Sequence, residues 1–294
     1  MKKTGQFFFT FVPLLLAVGL QLILSFFSIG ITGLWELIWY QGSADVSASD
    51  MFTDLFGVWS SEQFNTGIMI IFAIMCIAIY GIWYYACYNG TYVAKPRNIF
   101  HPLSVLGIVM LVPGAQFLST YLISFVSSIF PHWLEAYEQL METAGLDDKL
   151  TFSLLLYSVI LAPFSEELIF RGITMRQAQK VLPFWAVNLM QAFLFGVFHM
   201  NMIQGIYAFF LGLILGYLCE KSGSIYNSIL MHLLFNFFGT VLSPYFNIGD
   251  SVFSVIFWFV FGALMTTAGI FIFTKGARKC TDAVNTVAAN PSAI

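Results

Sequence analysis

The strongest constraint on the fold is a series of apolar runs that are long enough, or nearly so, to cross a lipid bilayer. A transmembrane helix needs about 20 predominantly apolar residues to span ~30 Å of hydrocarbon. Eight runs are candidates: roughly 7–29, 67–88, 103–125, 151–170, 183–200, 203–219, 226–243 and 252–274. The fifth and sixth runs are short and nearly contiguous. We therefore predict an all-α, polytopic helical membrane bundle with about eight transmembrane helices.

The composition supports a membrane protein over a soluble one. Hydrophobic residues make up 59% of the 294 residues and charged residues only 9%, whereas about 25% of a typical soluble domain is charged. So few charges would leave most of a soluble protein's surface uncovered. The first run follows two lysines, as in a signal peptide, but it is longer than a signal sequence requires. We expect it to be retained as the first span.

The charges between the runs predict the orientation of the chain. If Lys2 and Lys3 are cytoplasmic, all 12 basic residues except Lys149 fall on the cytoplasmic side, as the positive-inside rule requires. This count assigns Arg171, just after the fourth run, to the cytoplasmic side. The outer loops are instead acidic. We expect both termini to be cytoplasmic, in the cell membrane of a bacterium.

The chain divides into four predicted parts. Residues 1–150 hold the first spans and an outer segment at 131–150, whose apolar residues recur at helical spacing as in an interfacial amphipathic helix. Residues 151–243 hold most of the polar groups that lie within apolar runs. Residues 244–279 form the last span, and residues 280–294 a disordered cytoplasmic tail.

The stretch APFSEELIFRG places ionisable side chains inside the fourth run. A charged side chain at the centre of a span costs ~2.5–3.5 kcal/mol on insertion scales. Glu167 and Arg171 are four residues apart, so they can pair on one helix face and lower that cost. Glu166 lies about 100° around the helix and faces elsewhere. Pro163, one turn earlier, predicts a kink.

Two histidines and an asparagine complete the polar set of this region. His232 and Asn236 are four residues apart and share a helix face. Counting residues on either side of the turn near position 182 places His199 level with Glu166 in an antiparallel hairpin. The groups would meet below the cytoplasmic membrane face if the fourth and fifth helices protruded, which conflicts with a fifth helix that spans the membrane.

This set of groups suits the hydrolysis of an amide bond by water. A buried carboxylate and an imidazole that share a water act as general base and orienting group. A second histidine, with an asparagine one turn on, offers donors to an oxyanion, each worth ~3–4 kcal/mol. The residues alone also allow a membrane-edge anchor or helix packing.

The three motifs EELIFR, FGVFH and HLLFN resemble the EExxxR, FxxxH and HxxxN motifs of the CPBP family, in order and in approximate spacing over residues 150–240. This family comprises the type II CAAX prenyl endopeptidases, bacteriocin-processing proteins and their bacterial relatives. The resemblance implies a protease core at 151–243 and a glutamate-dependent endopeptidase that needs no metal or cofactor. Its substrate would be a membrane-associated peptide or protein in the lipid bilayer, with no nucleic acid involved.

The resemblance also implies a role for each matching residue. Glu166 and His199 would activate water, and His232 and Asn236 would form the oxyanion hole. Glu167 and Arg171 would hold the site together, and Phe195 would pack beside His199.

Three other functions remain open at this point. Two histidines and a carboxylate suit a zinc protease, although HExxH is absent. A non-enzymatic immunity or scaffold protein that binds a peptide would keep the motifs as packing. A proton-coupled transporter also uses intramembrane Glu and His.

Overall fold

The computed structural model describes residues 3–40, 47–88, 100–143, 150–246, 249 and 251–289, and these contain helices and no strand. The helices are α1 Lys3–Phe9, α2 Val12–Tyr40, α3 Ala48–Trp59, α4 Glu62–Tyr88, α5 Pro102–Ile129, α6 Pro131–Thr143, α7 Phe152–Ala178, α8 Phe184–Phe198, α9 Met202–Ser222, α10 Ile225–Tyr245 and α11 Val252–Ala289. The predicted all-α polytopic bundle is confirmed.

Seven segments of the described chain, rather than the eight expected, are long and apolar enough to cross a membrane. The first of them joins α1 and α2. The fifth predicted run forms α8, which has 15 residues and measures only about 22 Å at the rise of an α-helix. Because α8 packs against α7 and α9, its length is set by these neighbours and not by the bilayer.

Helices α8 and α9 form a tight antiparallel hairpin. Gly196 lies against Gly205, and Ala192 against Gly212, so residue numbers rise along one helix as they fall along the other. The chain reverses at Met200, whose φ of 54° lies in the left-handed region. Asn201 then caps α9, where its side chain accepts a hydrogen bond from the backbone N–H of Gln204 at 3.1 Å.

The two ends of the bundle carry opposite charges. The basic end holds Lys180 and Lys221, which follow α7 and close α9, and Gln179 and Glu220 join these helices there at 2.7 Å. At the acidic end the Thr151 hydroxyl, at the start of α7, donates to Glu62 of α4 at 3.0 Å. Helix α1 packs on the last turn of α7, so the chain begins at the basic end.

The tip of the α8–α9 hairpin does not reach the acidic end. Arg171 of α7 contacts Gly212 of α9, and Arg176 contacts Cys219, so the two helices run parallel. Extrapolation along both helices places the tip of the hairpin level with a point on α7 that lies about nine residues after its first residue. The tip is therefore roughly 14 Å short of the acidic end of α7. Amphipathic helix α6 packs on α9, and its Tyr137 hydrogen-bonds to Tyr207 near the recessed tip.

Helices α5 and α11 pack closely through glycines spaced seven residues apart. A Cβ on Gly107 would lie 2.5 Å from the backbone nitrogen of Phe273, and one on Gly269 would lie 2.8 Å from the Gly107 carbonyl oxygen. Gly276 approaches Ser104 in the same way. Small residues let backbones approach in membranes, where apolar burial does not drive association. The close approach joins the last helix to the rest of the bundle.

Three further details differ from the sequence-based expectations. The fourth helix does not end at residue 170, because α7 continues to Ala178 and buries Arg171 completely. Helix α3, which was not predicted, begins at a capping box in which Ser47 and Asp50 bond each other's backbone N–H. The helical backbone of α11 continues to Ala289, past residue 280, where the sequence predicts a disordered tail.

Candidate active site

Helix α7 changes pitch on both sides of its glutamates. It is π-helical at Leu156–Leu161, α-helical at Ala162–Glu167 and π-helical again at Leu168–Thr174. Isolated π turns within α-helices are frequent at functional sites. Glu166 is the fifteenth of the 27 residues of this helix, so the candidate site lies halfway along the helix.

Pro163 explains why the first wide turn needs a partner from another helix. In a π turn the N–H of residue 163 would bond the carbonyl of residue 158, but proline has no N–H. Asn236 of α10 instead donates its Nδ2–H to the Ser158 carbonyl oxygen at 2.8 Å. A buried carbonyl without a donor is costly, so Asn236 stabilises the distorted turn just before the glutamates.

A buried ion pair follows on the same helix. Arg171 Nη1 lies 2.8 Å from Glu167 Oε1, and both side chains are completely buried. The Nη2 group of Arg171 also donates to the Gly212 carbonyl oxygen of α9 at 3.3 Å. His232 of α10 bonds the same carboxylate, with its Nδ1 at 2.9 Å from Glu167 Oε1. Partners from several helices therefore surround this pair, as a charge removed from water requires.

His232 lies between the two glutamates. Its Nδ1 is 2.9 Å from Glu167 Oε1, and its Nε2 is 3.6 Å from Glu166 Oε2. The Glu167 carboxylate, paired with Arg171, accepts the hydrogen bond, so Nδ1 carries a proton. The Nε2 distance is longer than a hydrogen bond, and the Glu166 side chain is 12% exposed. Glu166 is thus the carboxylate of the pair that other molecules can reach.

His199 ends α8 at the recessed tip of the hairpin. Its Nδ1 lies 2.8 Å from the Phe195 carbonyl oxygen. Because a carbonyl only accepts hydrogen bonds, Nδ1 is the protonated nitrogen of the neutral ring and Nε2 keeps its lone pair. Glu166 and His232 are both close enough to act on this ring electrostatically. His199 therefore presents a proton-accepting nitrogen beside Glu166.

The Phe195 ring connects these groups. Its centroid lies 4.9 Å from the His199 ring centroid and 5.7 Å from that of His232. Arg171 Cζ lies 4.5 Å from the same centroid. One aromatic ring from α8 thus packs against side chains of α7, α8 and α10, so that Phe195 sets the spacing of the cluster.

The structure brings six of the seven predicted site residues into one cluster: Glu166, Glu167, Arg171, Phe195, His199 and His232. Asn236 lies one turn further along α10 and bonds the backbone of α7. Among the described residues, no group of three His, Cys, Asp or Glu side chains has a geometry that could hold a metal ion.

Sequence reasoning missed several residues around the site. Tyr157 and Tyr207 both interact electrostatically with Glu166. Gln191, on α8, is completely buried and bonds the Gly212 carbonyl oxygen that Arg171 also contacts. Gln191 shares a helix face with Phe195 and His199 at four-residue spacing, a signal that was available in the sequence.

The fold and this cluster together define a multi-pass membrane protein with a buried Glu–Arg–His centre. Comparison with protein families gives this class a more specific assignment. The model of the type II CAAX prenyl endopeptidase Rce1-like family matches residues 148–238, a range that contains all seven predicted site residues. The match supports the CPBP family, which the three motifs indicated, and with it an intramembrane protease of the CAAX type in general. No curated protein and no solved structure matched the chain.

Proposed function

We propose that this protein is an intramembrane endopeptidase that hydrolyses a membrane-associated peptide or protein with a water activated by Glu166 and His199. The observation that carries the proposal is the convergence of three groups from three helices: His232 lies 3.6 Å from Glu166, and the Phe195 ring packs against both His232 and His199. Intramembrane ionisable groups are costly and generally functional. If these groups served only to pack helices together, nothing would require the Glu166 carboxylate to be partly exposed.

In the proposed reaction Glu166 accepts a proton from water while the lone pair on His199 Nε2 orients that water. The resulting hydroxide attacks the substrate carbonyl carbon, and the negative charge develops on the carbonyl oxygen. The C–N bond then breaks as the proton held by Glu166 is delivered to the leaving nitrogen. Water is added across the bond, and the carboxylate returns to its starting state.

The oxyanion requires donors that are already in place. In the proposed reaction His232 donates through Nε2–H when its ring carries both protons, because its Nδ1–H is already bonded to Glu167. Asn236 has two Nδ2 hydrogens, and only one is used by the Ser158 carbonyl. Glu167 and Arg171 orient His232 and neutralise each other, so that Glu166 remains the reactive carboxylate.

The test compares purified wild type with Glu166→Ala and with Glu138→Ala, a matched loss of an exposed glutamate on α6. Three quenched probes are used: a farnesylated peptide ending in a CAAX sequence, the same peptide without the lipid, and a library of apolar peptides. Each reaction is run with and without 1,10-phenanthroline. We expect cleavage by wild type and Glu138→Ala, none by Glu166→Ala, and no effect of the chelator.

Each other result overturns part of the proposal. Loss of wild-type cleavage to the chelator, restored by zinc, would assign a zinc protease. Equal cleavage by wild type and Glu166→Ala would remove Glu166 from the mechanism. Binding of a probe without cleavage by any of the three proteins would favour a peptide-binding membrane protein. The lipidated and unlipidated peptides decide whether a prenyl group is part of the substrate.

A further inference from the structure

Two buried amides on α8 bond the backbone of α9 at the level of Arg171. We call Asn188 and Gln191 the amide clasp. Asn188 Nδ2 donates to the Leu213 carbonyl oxygen at 3.1 Å, and Gln191 Nε2 donates to the Gly212 carbonyl oxygen at 2.9 Å. The side chains are 1% and 0% exposed. They also bond each other, because Gln191 Nε2 lies 2.8 Å from Asn188 Oδ1.

The α9 helix lacks side chains where the clasp approaches it. A Cβ on Gly216 would lie 1.9 Å from Asn188 Oδ1, and a Cβ on Gly212 would lie 3.2 Å from the Phe195 ring. The two glycines therefore allow the amides of α8 to reach the backbone of α9. Hydrogen bonds made at such close approach fix the register between the helices more narrowly than apolar contact does.

The Gly212 carbonyl oxygen links the clasp to the active site. It accepts hydrogen bonds from Gln191 at 2.9 Å and from Arg171 at 3.3 Å. Arg171 in turn pairs with Glu167, and Glu167 accepts from His232. A continuous series of hydrogen bonds thus leads from Gln191 to the imidazole that lies next to Glu166.

Gln191 also lies one helical turn before Phe195 and two before His199. The Phe195 ring contacts the Arg171 guanidinium, so a shift of α8 along α9 would move this ring and the His199 imidazole together. Gln191 is therefore connected to the centre by two routes, through the Gly212 carbonyl and through its own helix.

We propose that Gln191 is a positioning residue for the reaction: by sharing the Gly212 carbonyl with Arg171, it holds Arg171 and the α8 histidine in register with Glu166. Gln191 contacts no reacting atom, and its effect is exerted through Arg171, Phe195 and His199. The inference rests on the proposed endopeptidase function. It adds to the three sequence motifs a polar residue that lies outside them.

The test is Gln191→Met, which keeps the length and unbranched shape of the side chain and removes its N–H donors. Its matched control is Thr274→Val, which removes another interhelical hydrogen bond of α9, the one between Tyr217 and Thr274 at 2.9 Å. Full-length proteins are assayed in detergent with the best probe of the preceding experiment. Thermal unfolding is measured on the same samples.

We expect Gln191→Met to lower kcat about 10-fold and to change KM less than about 2-fold, because small misplacements of catalytic groups are costly to the chemical step. Thr274→Val is expected to keep the kcat of wild type even if its unfolding temperature falls equally. Should Gln191→Met fail to fold, Gln191→Ala is read in the same way, since its side chain also offers no N–H to Gly212.

Wild-type kcat in a folded Gln191 variant would overturn the inference, as would an equal loss of kcat in Thr274→Val. Either result would leave the endopeptidase proposal standing if Glu166→Ala were inactive. Equal cleavage by wild type and Glu166→Ala would instead reject the proposed function itself, so the two failures are distinguishable.

Discussion

At the scale of single residues, the centre is built from groups that each satisfy another group's unmet hydrogen bond. Pro163 removes a backbone donor, and Asn236 of α10 supplies one to the Ser158 carbonyl. The carboxylate of Glu167 needs cations or donors, and Arg171 and His232 provide them. Because these partners on α7 and α10 contact one another directly, each substitution is expected to depend strongly on which other residues are present.

The pairing of Pro163 with Asn236 predicts a specific dependence. Asn236→Ala alone should destabilise the protein by about 1–3 kcal/mol, since it leaves a buried carbonyl without a donor. In a Pro163→Ala background, residue 163 regains an N–H and the same change should cost clearly less. Unfolding of wild type, both single variants and the double variant in detergent measures the difference. Equal costs in both backgrounds would contradict this account of Asn236.

The buried ion pair predicts that stability and activity separate. Arg171→Met leaves the Glu167 carboxylate buried with too few partners and should cost about 3–5 kcal/mol. Adding Glu167→Gln removes the unpaired charge and should recover much of that stability. Activity should not return with it, because His232 loses its anionic partner. Unfolding and cleavage assays on the same samples check this, and recovered cleavage in the double variant would show that the pair is only structural.

At the scale of helices, close backbone contact at glycines determines which helices lie side by side. The α8–α9 and α5–α11 pairs both depend on it, and the second joins the last helix to a chain segment far away in sequence. Neither pair is held by charge, and both lie in a largely apolar bundle. A methyl group at one of these glycines should therefore disturb the packing more, the less space is available for it.

Gly107→Ala and Gly81→Ala form a matched comparison for this idea. A Cβ on Gly107 would overlap the backbone nitrogen of Phe273 at 2.5 Å, whereas nothing lies within 4 Å of a Cβ on Gly81. We expect Gly107→Ala to cost about 1–3 kcal/mol through overpacking and Gly81→Ala to be neutral or stabilising, because alanine favours helix. Thermal unfolding ranks the two variants. An equal effect would mean that α5 and α11 separate without cost.

The sequence predicted most helices because length and hydropathy decide membrane crossing. It also predicted which polar residues converge, since Glu166, Glu167, Arg171, His199 and His232 stand out against apolar surroundings. The length of α8 was not predictable, because it depends on burial against α7 and α9. The π turns and the role of Gln191 also required the structure, since both depend on which carbonyl of another helix lies within reach.

At the scale of the whole molecule, the oppositely charged ends and the recessed hairpin define a direction across the bundle. Helix α8 enters from the basic end, returns as α9, and leaves the tip about 14 Å short of the acidic end. Both termini of the described chain lie at the basic end, because α1 packs near Ala178 and Gly276 lies against Ser104. Seven full crossings would place the termini on opposite sides. Here they lie on one side, because the shorter helix α8 enters the bundle from the basic end and α9 returns to that end.

We predict that the basic end is cytoplasmic, following the distribution of lysine and arginine. Cysteines are introduced separately at Ser60, at the acidic end, and at Lys221, at the basic end, with Cys87 and Cys280 replaced by serine. A membrane-impermeant maleimide should label Ser60→Cys in intact cells and Lys221→Cys only after permeabilisation. The reverse pattern would show that the chain is inserted the other way round.

The two π turns of α7 imply that the site is encoded by a count of residues as well as by their identities. Each wide turn accommodates about one residue more than an α-helical turn, so if Leu156–Leu161 took ordinary helical pitch with the same number of residues, all that follows would rotate by about 100°. Both glutamates would then turn away from His199 and His232 while every motif letter remained in the gene. Natural variants of this protein are therefore expected to keep Pro163 and Asn236, which maintain the first wide turn, or to lose one residue of Leu156–Leu161 together with them.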